Sequence, residues 1–225
     1  PMPPIRLIGM THTLTQISEM TLEGFHPRDA NDLFLLDAMG IRSITGPSVN
    51  ADQIDFKGIR FDPNAGLLSA ESGQSAEISG VFGHLTRIKG VGVHLNFHDD
   101  HLALNRLEFG QSHTKTFQTA GGYAEGIDWD RASHTIRIHH THLDHSNMAR
   151  VWMEQLDAME TQFDTPTKRV HMLKLTARDG MVRDEDPTAK APLKIHEVNL
   201  HHYHSDAVAA HWGADQVEIN DAQME

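Results

Sequence analysis

The sequence contains no cysteine, few basic residues and no long uninterrupted apolar segment. The absence of cysteine excludes disulfide bonds, zinc sites with thiolate ligands and a cysteine nucleophile. No apolar segment reaches the ~18 residues of a spanning helix and no signal peptide is visible, so we expect no transmembrane segment in this chain. Lys and Arg number 19 against 31 Asp and Glu, which gives a net charge of −12. Because phosphate binding needs clustered cations, nucleic acid is not expected as a partner.

The composition is that of a folded protein, with 39% hydrophobic and 22% charged residues, and it includes 18 histidines. A chain of 225 residues is long enough to bury a core. We predict a single β-rich domain over residues 1–225. A division into 1–145 and 146–225 is the alternative.

Four segments share one spacing of apolar residues, at offsets 0, 2, 5 and 7. They begin at Ile54, Leu102, Ile136 and Leu193. A period of two is typical of a strand with one apolar face, and the single change of phase indicates a β-bulge, as at Lys57-Gly58. The recurrence predicts a repetitive, largely antiparallel twisted sheet. The copies are unequally spaced, so we infer no fixed repeat length.

Three segments have the signals of helices: 29–39, 146–163 and 205–212. The first two carry apolar residues clustered on one side, and the third begins with Ser205 as an N-cap. Gly40 and Gly213 follow the first and the third as stop signals. The predicted fold class is therefore α+β: a β-rich domain with two or three helices packed on the sheet.

The densest group of candidate metal ligands lies in the segment His140-Thr-His-Leu-Asp-His145. Neutral imidazoles and a carboxylate are ligands that hold zinc and lower the pKa of its bound water. The segment fits the pattern His-x-His-x-Asp-His and resembles the metal-binding motif of the metallo-β-lactamase-fold hydrolases. The resemblance implies a hydrolase that uses zinc or another divalent metal, with His140, His142, Asp144 and His145 as ligands.

The same segment also has an interpretation without a metal, as the end of one strand of the repeated pattern. In a regular strand His140 and His142 would share the apolar face. A bulge at His139-His140, as the shared spacing suggests, would instead place Thr141 and Leu143 on that face and turn the two histidines towards solvent. We expect the bulged form, because it agrees with the other copies.

Short strands with this spacing, separated by polar turns such as 178–184, cover much of residues 50–200. With phrases such as Pro192-Leu-Lys-Ile-His-Glu-Val-Asn-Leu200, they look like the AsmA-like group of bacterial envelope proteins. That resemblance implies a long twisted sheet with an apolar groove, an association with the inner membrane and a part in lipid movement.

The function expected from these observations is binding or scaffolding without catalysis. The location is expected to be periplasmic or envelope-associated, with a cytoplasmic location as the alternative. The partner would be a protein, a lipid or another apolar ligand. No cofactor is expected, and the alternative is the metal-dependent hydrolase with its divalent ion.

Overall fold

The protein is all-β. A computed structural model describes residues 4–224 apart from 13, 27–32, 48, 81–82, 115–116, 131, 149, 183–192 and 207. This part of the chain contains sixteen strands and no helix. The strands are β1 (Ile5–His12), β2 (Thr15–His26), β3 (Phe34–Thr45), β4 (Val49–Asp62), β5 (Leu67–Gly80), β6 (Gly83–Asn96), β7 (His101–Phe109), β8 (Ser112–His113), β9 (Phe117–Thr119), β10 (Gly121–Asp130), β11 (Thr135–Met148), β12 (Val151–Asp164), β13 (Arg169–Val182), β14 (Leu193–Asp206), β15 (His211–Gly213) and β16 (Gln216–Met224).

The strands form one sheet in which hairpin follows hairpin. The order runs from β1 to β7, then from β10 to β15, and β16 also pairs with β14. Six strands close into a small barrel by the pairings β6-β7-β10-β11-β9-β8-β6, and the other strands extend the sheet on both sides. Antiparallel neighbours joined by short turns need no crossover helix.

The small barrel closes around an interruption in one hairpin. Phe109 pairs with Gly122, and Ser112 pairs with Thr119 in the same register. Strands β7 and β8 are therefore one arm of the hairpin, and β9 and β10 are the other. The pairing between the arms stops at 110–111 and at 120–121, and resumes beyond.

Two lines of interrupted pairing cross the sheet from strand to strand. Line A consists of Gly24, Asp37, Gly58, Glu71, Gly92, Asn105, Gly126, His139, Glu160, Leu173 and His202. Line B includes Arg42, Gln53, Ala76, Arg87, His145, Glu154, Asp179, His196 and Asp221. Each of these residues lies between regularly paired neighbours.

Residues with positive φ recur on line A at a constant separation in the sequence. Gly24, Gly58, Gly92 and Gly126 have φ values of 66°, 60°, 63° and 60°, and Glu160 continues the series with 48°. We call the constant separation between successive members, such as Gly24 and Gly58, the repeat interval. Glycine suits this left-handed conformation because it has no Cβ. The repeating unit is thus a hairpin of two long strands, each bulged at the same two levels.

The bulges explain the spacing of the apolar residues. A bulge turns the following residues to the other face, so an apolar spacing of two becomes three wherever a strand crosses a line. The apolar side of β4 therefore consists of Ala51, Ile54, Phe56, Ile59 and Phe61, all buried or half-buried. The bulge predicted at Lys57-Gly58 is confirmed by the positive φ of Gly58 and its missing pair.

This apolar face holds the core. Within the described residues, the buried apolar side chains all belong to it: Ile41, Ala51, Ile54, Ile59, Ala70, Ile88, Ala124, Met153 and Ala158. Every extensive contact between the described strands joins neighbours in the sheet. The accessible surface is 14064 Å², whereas a compact protein of 25.1 kDa exposes about 10,000 Å². Outside the small barrel the sheet is therefore extended, and its apolar side chains are shielded mainly by those of adjacent strands.

The predicted α+β class is wrong, because no helix packs on the sheet in the part of the chain that is described. The first residues of the predicted helix 29–39 lie outside the described residues, and its end belongs to β3. Residues 146–163 form the end of β11 and most of β12, and 205–212 span the end of β14 and the start of β15. In a bulged strand, apolar residues are separated by two or by three positions. Some of them are therefore three or eight positions apart, as they would be on one face of a helix.

Three further predictions concern the strand content, the domain boundary and membrane-spanning segments. The β-rich character is confirmed. The alternative domain boundary at 145/146 lies inside β11, and the sheet continues across it. Over the described ranges, no helix is long and apolar enough to cross a membrane.

Candidate functional site: a polar network on the sheet

The face opposite the apolar one carries a cluster of charged and hydrogen-bonding side chains. This cluster, named here the polar network, consists of Arg106, Tyr123, Glu125, His140, His142, Asp144, Asp157, Thr176, Arg178, Glu197 and Asn199. Strand register brings them together: His142 pairs with Tyr123 on one side and with Asp157 on the other. Directly paired residues of antiparallel strands have Cβ atoms about 5 Å apart, so these side chains meet.

Asp157 is the centre of the network. Its Oδ1 lies 2.8 Å from His142 Nδ1 and 3.2 Å from His140 Nε2. Arg178 Nη1 donates a hydrogen bond of 2.8 Å to its Oδ2. The Asp157 side chain is only 18% exposed, and the charged partners compensate for its burial.

The network continues across β13 and β14 through Arg178. Its Nε donates to Glu197 Oε2 at 3.1 Å. Asn199 Nδ2 donates to Glu197 Oε1 at 2.8 Å, and the Thr176 hydroxyl donates to Asn199 Oδ1 at 2.7 Å. These bonds satisfy Thr176 and Asn199, which are buried polar side chains.

On the other side, the network reaches β10 and β7 through aromatic and ionic contacts. The Tyr123 ring stacks on the His142 ring with centroids 5.3 Å apart, and meets the His140 ring edge-on at 5.5 Å. The Arg106 guanidinium lies 4.0 Å from the centroid of the Tyr123 ring and pairs with Glu125. A cation over an aromatic face is attracted by its quadrupole. The polar network thus cross-links six neighbouring strands from β7 to β14.

The hydrogen bonds of His142 favour its protonated form. Its Nε2 lies 3.2 Å from Asp144 Oδ1, while its Nδ1 faces Asp157. A carboxylate only accepts, so both ring nitrogens donate only in the imidazolium form. Burial lowers the pKa of His142, but the hydrogen bonds and charges of Asp157 and Asp144 outweigh it and hold the pKa above its usual value. Burial raises the pKa of Asp157, and the bonds from His142 and His140 with the charge of Arg178 outweigh that effect and lower it.

These shifts set the pH at which the pair stabilises the fold. His142 contributes fully below its unfolded pKa of about 6.5, and the contribution is lost as pH rises through its higher folded pKa. Asp157 contributes above its unfolded pKa of about 3.9, and loses the contribution as pH falls through its lower folded pKa.

We expect the stability difference between the wild type and His142→Gln to be largest between about pH 4 and 6.5 and to shrink above that range. Urea unfolding of both proteins from pH 4 to 9 measures it, and a difference that grows from pH 7 to 9 would contradict the assignment.

The structure brings three of the four candidate metal ligands close together. His140, His142 and Asp144 lie on the polar network, with His140 and His142 joined through Asp157. His145 lies on line B with positive φ, and its Nδ1 is 2.5 Å from Glu154 Oε2. Residues 4–224, excluding the gaps given above, contain no group of three or more His, Asp or Glu side chains arranged to hold a metal ion.

The chemistry of the donors also bears on the metal. A metal ligand must offer a deprotonated nitrogen, so metal binding competes with protonation. Both nitrogens of His142 face carboxylates, and its pKa is raised. A metal at His142 would therefore have to displace a proton that this environment stabilises. The metal site stays a prediction.

The bulge predicted at His139-His140 is confirmed by the interruption of pairing at His139. Its expected consequence is only partly correct. Thr141 and Leu143 pair with Ala124 and Gly122 along the apolar face, but the histidines on the polar face are half-buried, with side chains 22% and 20% exposed.

Sequence reasoning missed the other half of the site. Asp157 fell within a predicted helix, and Arg178 within a segment identified only as a turn. The signal for Asp157 was present: Val151, Met153, Leu156 and Ala158 repeat the offsets 0, 2, 5 and 7, which puts Asp157 on the polar face. Its partnership with the histidines depends on strand register, which the local sequence does not specify.

No protein-family model matches the chain, and no curated protein matches it.

Proposed function

We propose that the chain is a non-enzymatic binding or scaffolding module, located in a bacterial envelope, whose apolar sheet face takes up a lipid or another apolar ligand. The observation that carries the proposal is the large accessible surface of the extended sheet, 14064 Å² on a chain of 25.1 kDa. Repeat architectures of this kind offer long continuous surfaces for binding.

Accessible apolar side chains near the ends of the sheet support the apolar ligand. On β16, Val217 and Ile219 are each 55% exposed, and Trp212 on β15 is 68% exposed. Ile5 and Leu7 on β1 are exposed as well. Contiguous exposed apolar groups are typical of interaction sites.

Saturation of the polar network with its own partners supports the absence of catalysis. Asp157 accepts hydrogen bonds from two histidines and an arginine, and Glu197 accepts from Arg178 and Asn199. A general base needs a lone pair directed at a substrate proton. Here the carboxylates join strands to one another, which is the role of a scaffold.

The apolar-ligand proposal is tested with two charge variants of β16. Val217→Glu with Ile219→Glu alters the apolar face, and Gln216→Glu with Gln223→Glu adds the same charge on the polar face of the same strand. We expect the first pair to weaken binding of an apolar fluorescent probe at least about tenfold, because burial of even one Val or Ile contributes about 1.5–3 kcal/mol. The second pair should leave binding unchanged. Equal binding by both variants would contradict the proposal. Native mass spectrometry and organic extraction should also find lipid in the protein purified from cells.

The alternative is a metal-dependent hydrolase that uses the cluster of His140, His142, Asp144 and His145. The observation in its favour is the 3.2 Å approach of His142 Nε2 to Asp144 Oδ1, which places two candidate ligands side by side. Elemental analysis of the protein purified without a tag separates the two functions. Near-stoichiometric zinc, iron or manganese, lost in His142→Ala, would support the hydrolase and count against the non-enzymatic module.

A further inference from the structure

We propose that a cavity on the polar side of β4 to β11 binds a small organic anion, a carboxylate or a phosphate ester, whose charged group is held by Arg87 and Lys89. This inference goes beyond the proposed function, which concerns the opposite face of the sheet.

The cavity follows line B to the interrupted hairpin. It has a volume of about 820 Å³ and is lined by Gln53, Arg87, Gly110, Ala120 and Gly121, among others. The pairing between the two arms of the hairpin stops at 110–111 and 120–121, and the glycines there bring no side chains. The volume is in the usual range of about 300–1,000 Å³ for sites that bind small molecules.

Arg87 lies at a bulge of line B beside this opening. Its φ is 52°, a left-handed value within a strand. Gln53, His145, Asp179 and Asp221 on line B have the same conformation, so it belongs to the bulge. The guanidinium lies so close to Gly110 that a Cβ on Gly110 would overlap it. Backbone and neighbour together direct the Arg87 side chain over the cavity.

Arg87 and Lys89 are the cations of the cavity without internal partners. Neither makes an ion pair or a side-chain hydrogen bond within the described residues. By contrast, Arg106 pairs with Glu108 at 2.8 Å and also with Glu125.

The acidic side chains of the cavity wall are engaged elsewhere. Glu108 forms an ion pair with Arg106, and Asp144 Oδ1 lies 3.2 Å from His142 Nε2. Asp55 accepts a hydrogen bond of 3.2 Å from Gln74 and lies two strands from Lys89, roughly 10 Å away. Glu108 is the register partner of Lys89 on β7, but its carboxylate accepts a hydrogen bond from Arg106. Cations that form no ion pair in a concave wall attract anions, even on a protein with a net charge of −12.

The chemistry of the two cations specifies the ligand class. A guanidinium offers parallel N–H donors that match the two oxygens of a carboxylate or phosphate, and an ammonium adds a point charge. The Tyr123 side chain on the polar face also lines the cavity and suits an aromatic body. Benzoate and phenyl phosphate carry the two anionic groups on the same ring and are suitable probes.

Isothermal titration calorimetry at low salt and pH 8 tests the proposal with benzoate, phenyl phosphate, inorganic phosphate and the neutral benzyl alcohol. We expect saturable binding of benzoate or phenyl phosphate, and the stronger of the two assigns the anionic group. Arg87→Gln with Lys89→Gln should weaken that binding at least about tenfold, because hydrogen bonds to charged groups are lost. Arg137→Gln with Lys168→Gln removes the same charge from exposed positions outside the cavity and should bind as the wild type does.

Both double variants change exposed side chains, so thermal unfolding should show that they remain folded. The proposal is overturned if neither aromatic anion binds saturably, if benzyl alcohol binds as tightly as the anions, or if both double variants weaken binding equally. In the last case the anion would respond to net charge alone.

Discussion

Replacement of Gly122 by alanine is expected to destabilise the fold by about 3 kcal/mol or more. Gly122 lies in β10, paired with Leu143 of β11 and Phe109 of β7. A Cβ at this position would overlap the carbonyl oxygen of His142, a backbone atom held in the sheet. A flexible side chain could rotate away from such an overlap, but here two strands of the small barrel would have to separate. Urea unfolding of Gly122→Ala and the wild type measures the loss.

Gly90→Ala is the matched control, because Gly90 also lies within a strand of the small barrel. A Cβ at Gly90 would lie 3.5 Å from a methyl of Leu104, which is an ordinary contact. We expect its stability to remain within about 1 kcal/mol of the wild type. Equal stability of Gly122→Ala and Gly90→Ala would show that β10 and β11 do not approach each other in this register.

Asp157→Asn is expected to destabilise the protein by about 2–4 kcal/mol near pH 6. The substitution removes the charge that His140, His142 and Arg178 share, and its amide group presents N–H to one of these donors. Because the side chain is only 18% exposed, water compensates little for the lost partner. Denaturant unfolding at pH 6 and pH 8 should show the larger loss at pH 6, where His142 is protonated.

Glu160→Gln is the control for Asp157→Asn. Glu160 also accepts a hydrogen bond from a histidine, His139, at 2.6 Å, but its side chain is 55% exposed. Exposed ion pairs contribute about 0–1 kcal/mol, so a small effect is expected. If the two variants lost equal stability, Asp157 would not be the centre of the polar network.

The sequence predicted local features of the fold well where one strand suffices to define them. The change of apolar phase at Lys57-Gly58 identified a bulge, and Gly58 has the left-handed φ that the bulge requires. The helices were predicted wrongly because a strand bulged twice places apolar residues at intervals that resemble a helical face. In β12, Met153 and Leu156 are three apart in a strand, as they would be on a helix.

The fixed repeat was missed although its signal was in the sequence. The segments at Ile54, Leu102 and Ile136 cross line A, whereas the segment at Leu193 crosses line B, so one spacing arose at two levels of the sheet. Leu102 and Ile136 are separated by the repeat interval, but Ile54 lies in the other strand of its hairpin. The glycines with positive φ give the interval directly.

The sequence predicts the part of the polar network that lies on β11, but not the part on the neighbouring strands. His140, His142 and Asp144 lie together because they share one strand and one face, which periodicity can predict. Asp157 and Arg178 join them because β12 and β13 pair in one register, and register is a property of the whole sheet. The position of Arg87 and Lys89 beside the cavity likewise depends on how line B aligns across strands.

The central claim is that antiparallel hairpins recur at the repeat interval in one register. The absence of cysteine allows a direct test with engineered pairs. Thr141→Cys with Ala158→Cys and, one repeat interval earlier, Leu107→Cys with Ala124→Cys join direct partners across hairpins. Paired Cα atoms about 4.5–5.5 Å apart suit a disulfide. Mass spectrometry after mild oxidation should find both disulfides at near-full yield, and Thr141→Cys with Met159→Cys, on opposite faces, should stay reduced. Absence of either disulfide, or equal oxidation of the control, would contradict the fold.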